Sequence, residues 1–331
     1  MDTALPDLDL EAIRATARAN AQDLLETPVA PLHGATVQRL LGDADTWMKL
    51  ELFQRTGSFK ARGALTAVRR LTPEQRARGI TAVSAGNHAV AAAFAAQQAG
   101  VSAKIVVLAS ANPARMALAR SYGAELLVAP DGAAGFAMVE ALVRDEGRTF
   151  IHPFEGESPS LGTATVGLEF AEQVEGLEVV IVAVGGGGLA SGVSTAIRKL
   201  RPDCRVIGVE PEGNDVMSRS FAAGSPQRQE KSSTIADSLA PPMTTPMAYG
   251  LCRRHMERIV TVSDDAICRA MAVLFRDAKL AVEPAGAAAL AALLGPLREE
   301  LHGHRVGLIV CGANIDAQTF SQQLARGEQQ L

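Results

Sequence analysis

Short apolar runs rich in β-branched residues alternate with alanine-rich stretches along most of the chain. The runs predict strands at 47–52, 80–84, 104–108, 125–128, 179–184, 205–210 and 305–311. Between them, helical spacing predicts helices at 59–71, 88–99 and 189–200. Several strands are apolar continuously rather than at every second position, the pattern of a parallel sheet covered on both faces. Right-handed crossovers then gather loops, and any ligand, at the carboxyl ends of the strands. The fold class is α/β. The polar stretch 224–233 predicts an exposed loop, and no internal repeat is visible. Past Cys311 about one helix is expected, with no length for an appended regulatory domain.

Composition narrows the picture. The 331 residues are 47% hydrophobic and 21% charged, enough for two domains or one large α/β unit, and too apolar for intrinsic disorder. Thirty-two basic against thirty-six acidic residues give a net charge of −4 and no hint of the basic face that nucleic-acid binding needs. Cys204, Cys252, Cys268 and Cys311 form no Cys-x-x-Cys pair, which argues against a zinc cluster and a disulfide framework. The acidic start, Met1 to Asp7, does not read as a signal peptide, and no apolar run reaches the ~18 residues of a spanning helix. A cytoplasmic enzyme or small-molecule binder is expected.

Three loops carry candidate chemistry. Strand 179–184 runs into Gly185, Gly186, Gly187 and Gly188 and then, at Leu189, into a helix. Glycines let backbone N–H groups turn inward, and a helix N-terminus adds partial positive charge, so a phosphate fits there. A tight strand-to-helix turn is the plainer alternative. Strand 80–84 ends in Ser84-Ala85-Gly86-Asn87-His88. Ser84 or Asn87 alone reads as a helix cap, and His88 alone as a partner of backbone. Together they suit a small carboxylate. In Ser58-Phe59-Lys60-Ala61-Arg62-Gly63, Lys60 is either a solvated charge or, against apolar walls, an amine of lowered pKa able to act as nucleophile or base.

A rival reading uses the same glycines. Glu210 ends the next strand about 22 residues on, where a dinucleotide fold places the acid that binds ribose hydroxyls. The spacing Gly186-x-Gly188-x-x-x-Gly192 matches that fingerprint only loosely, because Ser191 takes the third glycine's place. A nicotinamide-dependent oxidoreductase or a nucleotide-binding module thus stays open at this point.

With Glu283-Pro284-Ala285-Gly286 and Cys311-Gly312-Ala313-Asn314, the three loops stand in an order that resembles the fold-type II pyridoxal-phosphate enzymes, in the threonine/serine dehydratase and serine racemase branch. The resemblance covers nearly the whole chain. It implies a fold like that of the tryptophan synthase β subunit, with two domains, each a mainly parallel sheet flanked by helices. Residues 1–54 and 150–331 would form a large cofactor-binding domain, and 55–149 a small substrate-side domain. It also implies a homodimer or homotetramer acting on a small amino acid, with no nucleic-acid or membrane partner.

The same resemblance implies pyridoxal 5'-phosphate as cofactor, bound covalently through Lys60. Phe59 would pack on the ring, Asn87 would bond the phenolic oxygen, and Gly185 to Leu189 would cradle the phosphate. Cys311 would face the pyridine nitrogen, where relatives commonly have serine; a neutral group there suits β-elimination. Ser84, Asn87 and His88 would hold the substrate carboxylate. The implied reaction is dehydration of a β-hydroxy amino acid to a 2-oxo acid and ammonia. Threonine would give 2-oxobutanoate and serine pyruvate. Lys60 would take the α-proton, and the cofactor phosphate would protonate the departing hydroxyl.

Three departures refine this expectation. Ala85 stands where the racemase branch has a serine that serves as second acid/base, which disfavours racemisation. Segment 130–136 replaces a region where racemase-like relatives carry an arginine, so an uncharged β-substituent, larger than threonine's, fits. Phenylserine and a hydroxyectoine-derived amino acid stay open as substrates, as does β-replacement chemistry. Racemase-like members bind a cation through an acid at the Glu210 position and a second acid. Val216 occupies the second position here, beside Asp215, so no metal is assigned and Glu210 stands as the one candidate ligand.

Overall fold

The alternation of apolar runs and helices builds two sheets. A computed structural model describes Leu5 and residues 7–84, 86–109 and 111–331. Its strands are β1 (Val29–Pro31), β2 (Thr46–Lys49), β3 (Ile80–Val83), β4 (Ala103–Leu108), β5 (Glu125–Ala129), β6 (Thr149–Phe150), β7 (Val179–Ala183), β8 (Arg205–Pro211), β9 (Arg258–Val262) and β10 (Val306–Ile309). The larger sheet has the order β1-β2-β10-β7-β8-β9 and the smaller β5-β4-β3-β6. Every pairing is parallel except that of β1 with β2. β7, β8 and β10 sit inside the larger sheet with nearly every side chain buried, as continuous apolar runs require.

Three strands went unpredicted. β1 and β6 have three and two residues, too short for a periodic signal. β9 is an edge strand, and four of its five residues keep contact with solvent. The strand expected over 47–52 stops at Lys49, and Glu51–Phe53 is a short 3-10 turn. Leu50 N still pairs with Pro28 O in the β1–β2 register, and the chain turns just after it, where Phe53 N donates to Leu50 O at 3.1 Å and Glu51 is buried.

The helices cover both faces. Pro284–Leu294, made almost wholly of alanine and leucine, is buried along its whole length behind the larger sheet. Asn87–Ala99 covers the smaller sheet and is buried from Asn87 to Ala96, with Val90, Phe94 and the alanines in one cluster with Ile80 and Ile105. Segment 224–233 contains no helix or strand and is mostly exposed, as its composition predicts. The loops after β3, β7 and β10 converge on one cleft between the sheets.

Candidate active site

The chain that follows β7 turns sharply through its four glycines into helix Gly188–Leu200. Gly187 has φ +96°, a backbone conformation that side chains resist, and Cβ atoms on Gly186 and Gly188 would lie 2.7 and 2.6 Å from Phe154. Only glycine allows that approach. The loop's carbonyls are bonded away from the cleft: Gly186 O accepts from Thr244 Oγ1 (3.1 Å), and Gly188 O from Thr163 Oγ1 (2.7 Å). The first N–H groups of the helix have no carbonyl one turn earlier to bond. Gly185 to Leu189 line a pocket with Phe59, Lys60, Asn87 and Cys311, so the loop offers this pocket its N–H edge. Such an edge fits a phosphate.

Lys60 opens helix Lys60–Arg69, and β10 sets its position. Phe59 N donates to Cys311 O at 3.1 Å, and Ser58 bridges to Gly312. Gly57 (φ +72°) lets this segment lie against Asn314, whose Oδ1 would be 2.4 Å from any Cβ there. Lys60 Nζ sits 5.1 Å from the centre of the Phe59 ring and donates to Pro153 O at 2.8 Å. Loss of hydration pulls its pKa down to about 8. A lysine that carries its charge reluctantly is the one needed for amine chemistry. Cys311 is buried, and burial pushes its thiol up, so it remains neutral.

Beneath Lys60 lies an ion network. Arg62 pairs with Glu51 through Nε and Nη2 (both 2.8 Å) and also binds both oxygens of Glu169. Lys49 Nζ joins Glu169 (2.6 Å), Gln173 (2.8 Å) and Thr27 O (2.7 Å). Arg62, Lys49 and Glu51 are fully buried. The network ties the helix that begins at Lys60 to helix Glu157–Gln173 and to the end of β2.

Opposite Lys60, Asn87 begins helix Asn87–Ala99. Its Nδ2 donates to Glu283 Oε1 at 2.7 Å, and its Oδ1 accepts from Asn314 Nδ2 at 2.8 Å. The second Nδ2 hydrogen reaches only toward Ser238 Oγ, 3.4 Å away. Glu283 is buried, and burial pushes its pKa up to about 7 against the pull of Arg115. Arg115 Nη2 lies 3.4 Å from Glu283 Oε2, while Nη1 binds Asp237 at 2.6 Å and Nε donates to Asn314 O at 2.7 Å. Ser84 Oγ accepts from Gly86 N at 3.0 Å and keeps its own hydrogen to give. His88 Nε2 lies 2.8 Å from Ile151 O. Burial and the nearby Lys60 charge pull its pKa down to about 3, so it is neutral and its Nδ1 can only accept. Ala85, on which the racemisation expectation rests, lies outside the described residues.

A cavity of about 370 Å³ opens from Lys60 and Asn87 between the sheets. Val83, Leu108, Phe136, Pro241, Pro242 and Met243 form apolar walls, and Ser84, His152 and Arg115 supply polar groups. Glu283, Asn314, Arg115 and His152 are site residues that the sequence reading did not assign. Glu283 and Asn314 had a signal, their places in the Glu-Pro-Ala-Gly and Cys-Gly-Ala-Asn motifs.

The acid of the dinucleotide alternative is spent elsewhere. Glu210 is fully buried at the end of β8, with Oε1 accepting from Met217 N (2.8 Å). Its Oε2 accepts from Ser218 N (2.8 Å) and Ser218 Oγ (2.7 Å). Both oxygens thus face the N-terminus of helix Val216–Ala223, which gives Glu210 a structural role as its cap. Among the described residues no group of three or more His, Cys, Asp or Glu side chains is placed to hold a metal, and no helix is long and apolar enough to cross a membrane.

Comparison with known proteins agrees with this geometry. The phenylserine dehydratase of Ralstonia pickettii is 48% identical over 332 residues, 98% of each chain. The L-threonine ammonia-lyase of Thermotoga maritima is 36% identical over 86% of this chain and 70% of its own. The structure of maize serine racemase superposes with a TM-score of 0.89 at 31% identity, covering 97% of this chain and 99% of the other. The family model for pyridoxal-phosphate dependent enzymes matches residues 21–312, the span that holds Lys60, the glycine cradle and Cys311. The chain belongs to the pyridoxal-phosphate-dependent enzymes.

Proposed function

We propose that this enzyme dehydrates β-hydroxy amino acids to 2-oxo acids and ammonia, as a dehydratase of the threonine and serine type, and that its preferred substrates carry a large, uncharged β-substituent. The observation that carries this reading is the apolar cavity of about 370 Å³ that adjoins Lys60. That volume includes room the cofactor would take, and its walls at Val83, Leu108, Phe136, Pro242 and Met243 are apolar and carry no charge for an acidic side chain. A relative named for phenylserine supports the same reading.

When bound, pyridoxal phosphate supplies an electron sink for charge left at the substrate α-carbon. The protein's part follows from the geometry. The N–H edge of Gly185 to Leu189 would hold the phosphate, Phe59 would pack on the ring, and Asn87 would offer its second amide hydrogen to the phenolic oxygen. The neutral Cys311 thiol would face the ring nitrogen. Lys60, its charge disfavoured by burial, would carry the cofactor and, once freed by substrate, take the α-proton. Ser84 Oγ–H and the N-terminus of helix Asn87–Ala99 bind the substrate carboxylate, while His88 braces that loop through Ile151 rather than binding substrate. Residues 1–54 and 150–331 are then the large cofactor-binding domain and 55–149 the small substrate-side domain, which adds Phe59, Lys60 and Asn87 to the cofactor site at the seam. Four buried, free cysteines suit a reducing compartment, and we place the enzyme in the cytoplasm.

Release of 2-oxo acid and ammonia from serine, threonine and phenylserine by the holoenzyme tests the reading. The expected order of kcat/KM is phenylserine above threonine above serine. Release from none of the three overturns the dehydratase reading, and an inverted order overturns the preference for bulk.

A further inference from the structure

Segment 151–155 touches the reacting region three times. Ile151 O holds His88, Pro153 O holds Lys60, and between them the His152 ring lines the substrate cavity. Two backbone groups fix that ring. His152 Nδ1 accepts from Glu155 N at 2.8 Å and from Phe154 N at 3.2 Å. A nitrogen whose lone pair takes two donors carries no hydrogen, so the hydrogen of the neutral ring sits on Nε2. Phe150 and Phe154 meet the ring edge to face, at centroid distances of 5.6 and 4.6 Å and interplanar angles of 73° and 87°. Burial and the Lys60 charge hold the imidazolium pKa near 4, so the ring is neutral at working pH. Among the described residues Nε2 has no hydrogen-bond partner.

We propose that His152 donates its Nε2 hydrogen bond to the substrate β-hydroxyl and stabilises the charge that grows on this oxygen as the Cα–Cβ–O system eliminates. The proposal rests on the dehydratase reading above. His152 keeps its proton throughout, because a neutral imidazole is far too weak an acid to give it up. As the Cβ–O bond breaks, its electron pair goes to the oxygen and the electrons left at the α-carbon form the Cα=Cβ bond. The hydroxyl departs as water on a proton that the cofactor phosphate would supply, and His152 contributes a preorganised donor on that leaving group. The other polar groups nearby have different partners or tasks: His88 Nε2 is engaged by Ile151 O and Arg115 by Asp237 and Asn314 O, while the free hydrogens of Ser84 Oγ and Asn87 Nδ2 are assigned above to the substrate carboxylate and the cofactor's phenolic oxygen. One such donor on a developing oxyanion is worth about 10²–10³ in rate.

The test compares leaving groups on the holoenzyme. Wild type, His152→Phe and His152→Gln are each given the best 3-hydroxy amino acid and 3-chloroalanine, whose chloride departs without needing a donor. His152→Phe should lower kcat/KM for the hydroxy substrate about 100-fold and that for 3-chloroalanine less than about 3-fold. His152→Gln, which retains an N–H, should restore at least part of the loss. A nitrogen-detected imidazole spectrum of the holoenzyme should contain an Nε2–H tautomer that vanishes in His152→Phe. Equal losses on both substrates, no loss on either, or an Nδ1–H tautomer would each overturn the proposal. A wild type that eliminates from neither substrate would instead overturn the dehydratase reading beneath it.

Discussion

Asn87 Nδ2 donates to Glu283 Oε1 at 2.7 Å, joining residues 196 positions apart and closing the small sheet's first loop onto the large sheet. In the proposed arrangement this contact aims the amide that would face the cofactor's phenolic oxygen. Replacing Glu283 by alanine frees that amide and leaves Arg115 paired with Asp237 alone. Loss of a hydrogen bond to a charged group costs about 1.5–3 kcal/mol. Cofactor affinity, measured by equilibrium dialysis, should fall ~10–100-fold. Unchanged affinity would detach Glu283 from the cofactor site.

The glycine loop is packed as tightly as its sequence suggests. A Cβ on Gly186 would meet the Phe154 ring at 2.7 Å. Gly186→Ala should cost about 1–3 kcal/mol in denaturant unfolding, as overpacking does. Combining it with Phe154→Ala should recover part of that cost, because the two changes share one contact. Strict additivity would contradict the packing described.

Arg62 is the keystone under Lys60, with both Glu51 and Glu169 on its guanidinium. Arg62→Met leaves the buried Glu51 and the partly buried Glu169 with only Lys49 between them. Breaking a buried pair from one side costs about 3–5 kcal/mol. The denaturation midpoint should drop accordingly, with cofactor release preceding global unfolding.

Most of the site was legible where chemistry is contiguous in sequence. Lys60 and its neighbours, Gly185 to Leu189, and Ser84 to His88 each lie on one strand-to-helix turn, where local rules of backbone and helix dipole operate. Glu283, Arg115 and His152 were not, because their meaning lies in partners far along the chain: Arg115 meets Glu283 across 168 positions. The fold followed similar limits. β7 and β8 read directly as apolar runs, whereas β1 and β6 are too short to carry a period, and the apolar run that includes β2 hides the turn at Glu51–Phe53 that ends the strand.

The lowered pKa of Lys60 has a kinetic consequence. Only the unprotonated amine attacks an aldehyde, so that fraction rises with pH and levels off above the pKa. With a pKa of about 8, the rate of cofactor uptake by the apo-protein should climb roughly tenfold per pH unit below 8 and flatten above it. A rate still rising steeply at pH 10 would mean an ordinary, solvated lysine.

The central claim is that Lys60 carries the cofactor, and borohydride reduction of the holoenzyme followed by peptide mapping tests it most directly. The account predicts a pyridoxyl group fixed on the peptide that contains Lys60, loss of the visible absorption band, and neither signal in Lys60→Ala. A pyridoxyl group on another lysine, or an unaltered visible band in Lys60→Ala, would contradict it.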